Sequence, residues 1–455
     1  MTTSYHEYFR GKCITLMGLG LLGRGVGDAR FLAECGAELI VTDKKSAEEL
    51  ATSVAELSDL PNITFRLGEH NLEDFRDRDL IIKAAGVPQD SPFIAEARAA
   101  GIPIAMTTAL FSQFAKEAGA TIVGVTGTRG KSTTTAMIAE ILEQAGKSVL
   151  VGGNVRGVST LALLPEVTAE THAVLELDSW QLQGFGEAKL GPDVGVFTTL
   201  YPDHLNYYKN DTAAYLADKA NIFLYQDEAD TIVVGEQAAD TVLARYGDAM
   251  PARRVIARAT DVPQDWVLGV LGEHNRANAA CALAAARALG VDDGITRAAL
   301  QSFRGVPGRL ENLGVFAGVR VYNDNNATTP DATLAAIRAL TEVGVKNVIL
   351  IMGGDDKGLD MSALVAELPR CKAVVLFKER GTDRIREQVF ALEHEGLQVF
   401  QEEGLAACVE QAFHVAAAGD IILYSPAFSS FGRFFKNEYD RNDQFVALIQ
   451  SHNQS

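Results

Sequence analysis

Between Ala120 and Glu143 the chain reads ATIVGVTGTRGKSTTTAMIAEILE, a stretch that leaves few folds open. Ile122, Val123 and Val125 make an apolar run expected to form a strand. Gly124, Gly127 and Gly130 then lead into Lys131, Ser132 and a helical pattern. A strand, a glycine turn and a helix in this order make a phosphate-binding loop. Main-chain N–H groups close around phosphate oxygens, Lys131 adds a point charge, and the helix turns its positive end to the same place. A nucleoside triphosphate, ATP, is the expected guest, met by Gly127, Thr128, Arg129, Gly130, Lys131, Ser132 and Thr133. The spacing is G-x-x-G-x-x-G-K-S, with Val125 where the usual motif has its first glycine. A glycine-rich turn that binds nothing is the competing reading.

Composition narrows the class. The 455 residues, 47% hydrophobic and 22% charged, suffice for about three domains with ample core. No apolar run reaches the roughly 18 residues that a membrane span needs, and the start MTTSYHEYFRGK does not read as a signal peptide. The five cysteines (Cys13, Cys35, Cys281, Cys371, Cys408) are scattered and never in C-x-x-C spacing, as befits buried thiols in a reducing cytoplasm. A net charge of −18 argues against nucleic acid as a partner, so anionic ligands must meet local cations and helix N-termini.

Strand and helix patterns alternate nearly throughout, which implies an α/β chain with mostly parallel sheets covered by helices. Near the start, the strand KCITLM precedes Gly18-Leu19-Gly20-Leu21-Leu22-Gly23, a helix to about Cys35, and a strand ELIVTD ending at Asp43. This is the dinucleotide fingerprint G-x-G-x-x-G, with an acid 20 positions beyond the last glycine. The same geometry holds any diphosphate, so the motif specifies a Rossmann-like site more firmly than it specifies NAD. The expected boundaries give a Rossmann-like domain over 1–108, a P-loop ATPase-like domain over 109–306 and a second Rossmann-like domain over 307–455.

In the middle portion Glu176, Asp178, Asp203 and His204 cluster at strand ends, a set of hard ligands that beside a triphosphate suits Mg²⁺. Taken singly, His204 reads as a hydrogen-bonded structural histidine, and Glu176 equally as a solvent-facing carboxylate or as a ligand. Asn275 and Asn278 open a long alanine-rich helix and could meet a base edge or cap the helix. In the last portion NDNN (323–326) and GGDDKG (353–358) lie at strand ends, where open α/β sheets bind ligands.

GVTGTRGKSTTT, GGNVRG, LELDSWQL, PDHLNYY, the helix carrying Lys219, GEHNRANA, PGRLE, NDNNAT and GGDDKG recur in this order in the Mur ligase family, and the resemblance covers the whole chain. It implies ATP-driven amide synthesis in bacterial cell-wall precursor assembly, with ADP and phosphate as co-products. The chain looks most like the branch that adds D-glutamate to UDP-N-acetylmuramoyl-L-alanine through an acyl phosphate. By the resemblance, Lys131 holds the β- and γ-phosphates, Ser132 and Glu176 help bind Mg²⁺, and His204 lies near a second metal. Lys219 matches a position that carries a carbamate and so becomes an anionic metal ligand; as a plain helix lysine it would be a solvated surface charge. Asn275 and Asn278 match the adenine side, and Arg309 and Asp324 the phosphates and nucleoside as the enzyme closes. The UDP end falls on Gly18, Leu19, Leu21, Leu22, Thr42 and Asp43, with Asn154 near the reacting end of the acceptor. Thr328, Lys357, Ser430 and Phe434 match the part that receives the amino acid. A monomer is expected.

This sequence departs from the family pattern at Asn326, where a lysine is usual, at Arg129 in the phosphate loop, and at Asp178, Asn206 and Gly308. A sister ligase adding another amino acid or L-glutamate stays open on these residues. So does, from a different class, an NAD-dependent oxidoreductase of Rossmann type.

Overall fold

A computed structural model describes residues 4–452 apart from 22, 205, 206, 342–344, 431 and 432. The central strands are short apolar runs whose residues are buried on both sides, the signature of parallel sheets covered by helices. The first sheet contains β1 (Cys13–Met17), β2 (Glu38–Asp43), β3 (Ile63–Leu67), β4 (Leu80–Lys83) and β5 (Ile104–Ala105), ordered β3-β2-β1-β4-β5 and parallel throughout. The strand order reverses at β1, so the turns after β1 and β4 flank a crevice at the carboxyl ends.

The second sheet contains β6 (Thr121–Thr126), β7 (Ser148–Gly153), β8 (Thr171–Glu176), β9 (Val194–Phe197), β10 (Thr231–Gly235) and β11 (Arg253–Ala257). It is again all parallel, in the order β11-β10-β9-β6-β8-β7. Helix Thr107–Glu117 begins at the expected domain boundary and buries Leu110, Phe111 and Phe114 in one apolar core with Ile14, Leu39, Ile122, Leu175 and Phe223. Both sheets therefore belong to one compact body, Met1–Trp266 with Ala277–Leu300.

The other body comprises Val267–Arg276 and Gln301–Ser455. Its sheet contains β12 (Glu311–Phe316), β13 (Val319–Asn323), β14 (Val348–Met352), β15 (Ala373–Phe377), β16 (Gln398–Glu402) and β17 (Ile421–Tyr424), ordered β12-β13-β17-β14-β15-β16. β12 pairs antiparallel with β13 at one edge; the other pairings are parallel. Helix Glu438–Ser451 is capped by Asn437, whose side chain accepts from the Tyr439 and Asp440 amides, and it buries Phe445 and Ile449 against this sheet. No helix among the described residues is long and apolar enough to cross a membrane.

Candidate active site

β6 delivers its chain to the phosphate loop, and helix Lys131–Gln144 follows without interruption. Gly127 and Gly130 have φ of 140° and 86°, conformations that a side chain would strain. A Cβ on Gly127 would lie 2.1 Å from Thr198 Oγ1, and one on Gly130 2.3 Å from Asn278 Oδ1. Both glycines are thus required by close approach, and Asn278 lies against the loop. The loop leans on the segment after β9: Thr128 N–H donates to Thr199 O at 2.7 Å and Arg129 N–H to Thr199 Oγ1 at 2.9 Å. Thr128 Oγ1 donates to Tyr201 O at 3.1 Å, and the Arg129 guanidinium lies 5.9 Å from the Tyr201 ring centre. Those two amides, expected to face phosphate, are turned to protein. Thr134 N–H is the first to join the helical ladder, on Gly130 O, so the amides of Lys131, Ser132 and Thr133 precede it at the positive end.

Two lysines meet at the loop. Lys131 Nζ donates to the carbonyl oxygens of Gly127 and Thr128 at 3.1 Å, and Lys219 Nζ donates to that same Gly127 oxygen at 2.9 Å. Lys219 sits on helix Thr212–Leu224, whose N-cap Asp211 accepts from the Ala213 and Ala214 amides. It is 1% exposed, which overturns the reading of a solvated surface lysine. Burial pushes its pKa well below the usual lysine value, the Lys131 charge adds to this, and Asp178, Asp203 and Asp218 oppose it.

Glu176 ends β8 in register with Val125, buried, and no described residue hydrogen-bonds its carboxylate. Asp178 is occupied otherwise: it caps helix Ser179–Ala188 in a reciprocal pair with Gln181. His204 has φ 52° and its ring packs 4.7 Å from Trp180. Desolvation holds its pKa below the usual value, with the Lys131 and Lys219 charges adding and Asp203 opposing. The described residues contain no group of three or more His, Cys, Asp or Glu arranged to hold a metal, so the expected strand-end cluster is not a ready-made cage.

A cavity of about 270 Å³ opens where the β1 and β4 turns face the segment after β7, lined by Gly18, Leu19, Leu21, Arg24, Lys83 and Thr160 among others. Leu22 lies outside the described residues. Asp43, expected at the UDP end, braces the turn: one carboxylate oxygen accepts from the Leu19 and Gly20 amides at 2.9 Å. Thr42 is buried with its hydroxyl 2.8 Å from His70 Nδ1. Asn154 N–H donates to Glu176 O at 2.7 Å, and its Oδ1 accepts from Arg24 at 3.0 Å, so Asn154 links this cavity to the strand end bearing Glu176.

In the second body, Asp324 Oδ1 accepts from Leu310 N–H at 3.0 Å and Oδ2 from Ser425 Oγ at 2.8 Å. Burial raises its pKa to about 7 against those hydrogen bonds and the Arg309 charge. Lys357 Nζ reaches Thr328 Oγ1 at 3.2 Å, uniting two expected donor-site residues. Ser430 is buried, and Phe434 packs on Phe377 with ring centres 4.9 Å apart, inside an aromatic cluster. Asn275 belongs to this body and donates to Leu271 O at 2.8 Å.

Residues 12–106 match the Mur ligase MurD-like N-terminal domain, 125–286 the Mur ligase middle domain and 308–428 the Mur ligase glutamate ligase domain. Over 97% of its length the chain is 36% identical to the UDP-N-acetylmuramoylalanine--D-glutamate ligase of Roseiflexus sp. (strain RS-1), covering 99% of that protein. The chain belongs to the Mur ligase family. Among solved structures, MurC from Thermotoga maritima superposes with a TM-score of 0.60 at 22% identity, covering 97% of this chain and 99% of that one. E. coli FolC in complex with ADP gives 0.57 at 18% identity, over 77% and 94%. Both likenesses speak for the fold.

Sequence reasoning passed over several residues of this Mur ligase. Arg24 opens helix Arg24–Glu34, where a cation opposes the helix dipole and no motif flags it. Lys83 is 1% exposed at the end of β4, its pKa lowered to about 8 by burial, and it donates to Val87 O at 3.2 Å. Trp180 follows the capping aspartate in plain sight, yet nothing local says that it will pack on His204.

Proposed function

We propose that this Mur ligase joins D-glutamate to UDP-N-acetylmuramoyl-L-alanine at the expense of ATP, forming ADP and phosphate in peptidoglycan precursor synthesis. The observation that carries the reading is the near-complete match to a D-glutamate ligase, with the phosphate loop in place inside it. The family matches fall within the three domains 1–108, 109–306 and 307–455. A monomeric cytoplasmic enzyme is the corresponding expectation.

The acceptor carboxylate attacks the γ-phosphorus and ADP leaves. The donor amine then attacks the acyl carbon, loses a proton, and expels phosphate as the amide forms. Bringing anions together is mainly a matter of alignment and charge neutralisation. Lys131, with the first-turn amides through Ser132 and Thr133, supplies positive potential to the phosphates, while the Gly127 to Gly130 turn sets their approach. Glu176 ends β8 and offers hard carboxylate oxygens, so it fits Mg²⁺, with Ser132, a carbamylated Lys219 and His204 as further ligands. Bound there, the ion would screen the phosphate charges. Asn275 and Asn278 serve the adenine, and Arg309 and Asp324 the nucleotide. The turn Gly18 to Leu22, Thr42, Asp43 and Asn154 serve the acceptor, and Thr328, Lys357, Ser430 and Phe434 the donor.

Phosphate release measured by malachite green, with ATP, Mg²⁺ and UDP-N-acetylmuramoyl-L-alanine and a scan of D- and L-amino acids, tests the reading. Release dependent on D-glutamate is expected. Release with a different amino acid would transfer the chain to a sister ligase. NAD(H) bound in place of UDP, with no amino-acid-dependent release, would remove it from this chemistry.

A further inference from the structure

The C-terminal ends of β13, β17 and β14 lie side by side, and the loops leaving them are stitched together by main-chain bonds. Ala427 N–H donates to Ala327 O at 2.9 Å, and Asp355 and Ser429 exchange N–H···O bonds at 3.1 and 3.2 Å. Beneath them lies Arg441, on the helix Glu438–Ser451, 0% exposed. Its guanidinium donates to Asn325 Oδ1 at 2.8 Å, to Asn325 O at 2.7 Å and to Phe428 O at 3.3 Å. Asn325, equally buried, returns its amide to Glu438 O at 2.8 Å.

All three acceptors of the guanidinium are neutral oxygens. Among the described residues no carboxylate forms an ion pair with it; Glu438 attracts it only from farther away. A buried cation without an anion costs more than well-packed apolar side chains would, so stability alone does not account for Arg441. In a low-dielectric interior its charge also reaches farther than a solvated one. The loops it braces carry Thr328, Lys357 and Ser430. Asp324, by contrast, is held separately, by Ser425 and the Leu310 amide.

We propose that Arg441 is a positioning residue for the amino-acid donor: its planar fork fixes the 325 and 428 segments in register, and its unneutralised charge favours an anionic donor above them. The inference rests on the D-glutamate reading above. Full-length Asn325→Asp and Arg441→Lys are compared with wild type by phosphate release, varying D-glutamate, ATP and acceptor in turn, with thermal melts to count folded enzyme. Asn325→Asp keeps the shape and gives the guanidinium an anionic partner, which cancels the charge, while giving up the amide bond to Glu438 O that the melts account for. Arg441→Lys keeps the charge and loses the fork.

The expected result is a KM for D-glutamate raised about tenfold in Asn325→Asp and less in Arg441→Lys, with KM for ATP and acceptor within about twofold of wild type. A purely structural role would lower the melting temperature and leave the three KM values alone, or raise them together. Either pattern in a folded variant overturns the proposal, as does failure of both variants to fold. Failure of the wild-type enzyme to release phosphate with D-glutamate would strike the functional reading instead.

Discussion

Lys219 shows how one residue changes meaning between sequence and structure. On a helix of ordinary amphipathic pattern it reads as solvated, yet it is buried with its amine on the Gly127 carbonyl beside a second ammonium. Such an amine is held toward its neutral, nucleophilic form, the form that adds CO₂. ¹³C-bicarbonate is therefore expected to give a carbamate NMR signal that disappears in Lys219→Met, while the same signal in both proteins would place the label elsewhere. Asp324 supplies a pH dependence. Its folded pKa, about 7, stands above the unfolded carboxylate value of about 3.9. The stabilising protonated form is therefore full at low pH and lost as pH rises through 7. Denaturant melts should show wild type losing stability relative to Asp324→Asn between about pH 4 and 7, and a pH-independent difference would refute the assignment.

At the scale of elements, the parallel strands β1, β2 and β6 were legible because each is an apolar run bounded by turn residues. β3, ITFRL, escaped because it is a half-exposed edge strand whose pattern alternates with polar residues. β12 escaped for a related reason: ENLGVF pairs antiparallel at an edge, where burial asks little of its sequence. Helix Thr107–Glu117 begins where the sequence suggests a boundary, but it packs both sheets of the first body. Phe111→Ala should cost about 3–5 kcal/mol in urea unfolding. The two sheets are expected to melt in one transition in the wild-type protein; a change below about 1 kcal/mol would show that the helix is not shared core.

For the whole molecule, the glycine-bearing motifs were the most legible feature, because they depend on backbone geometry that only a few residues permit. Contacts between distant parts of the chain were illegible: Arg24 with Asn154, Trp180 with His204, and Arg441 with Asn325 are each products of the fold. Against a net charge of −18, two cations stand out in different bodies: Lys131, at the start of the helix after β6, and Arg441, on the helix Glu438–Ser451. One feature of the phosphate loop reaches beyond its own residues. Because the Thr128 and Arg129 amides are already anchored to Thr199, the turn holds its shape before any nucleotide arrives. Little chain entropy is then left to surrender on association, and the nucleotide's grip goes to aligning its terminal phosphoryl group instead of organising its cradle.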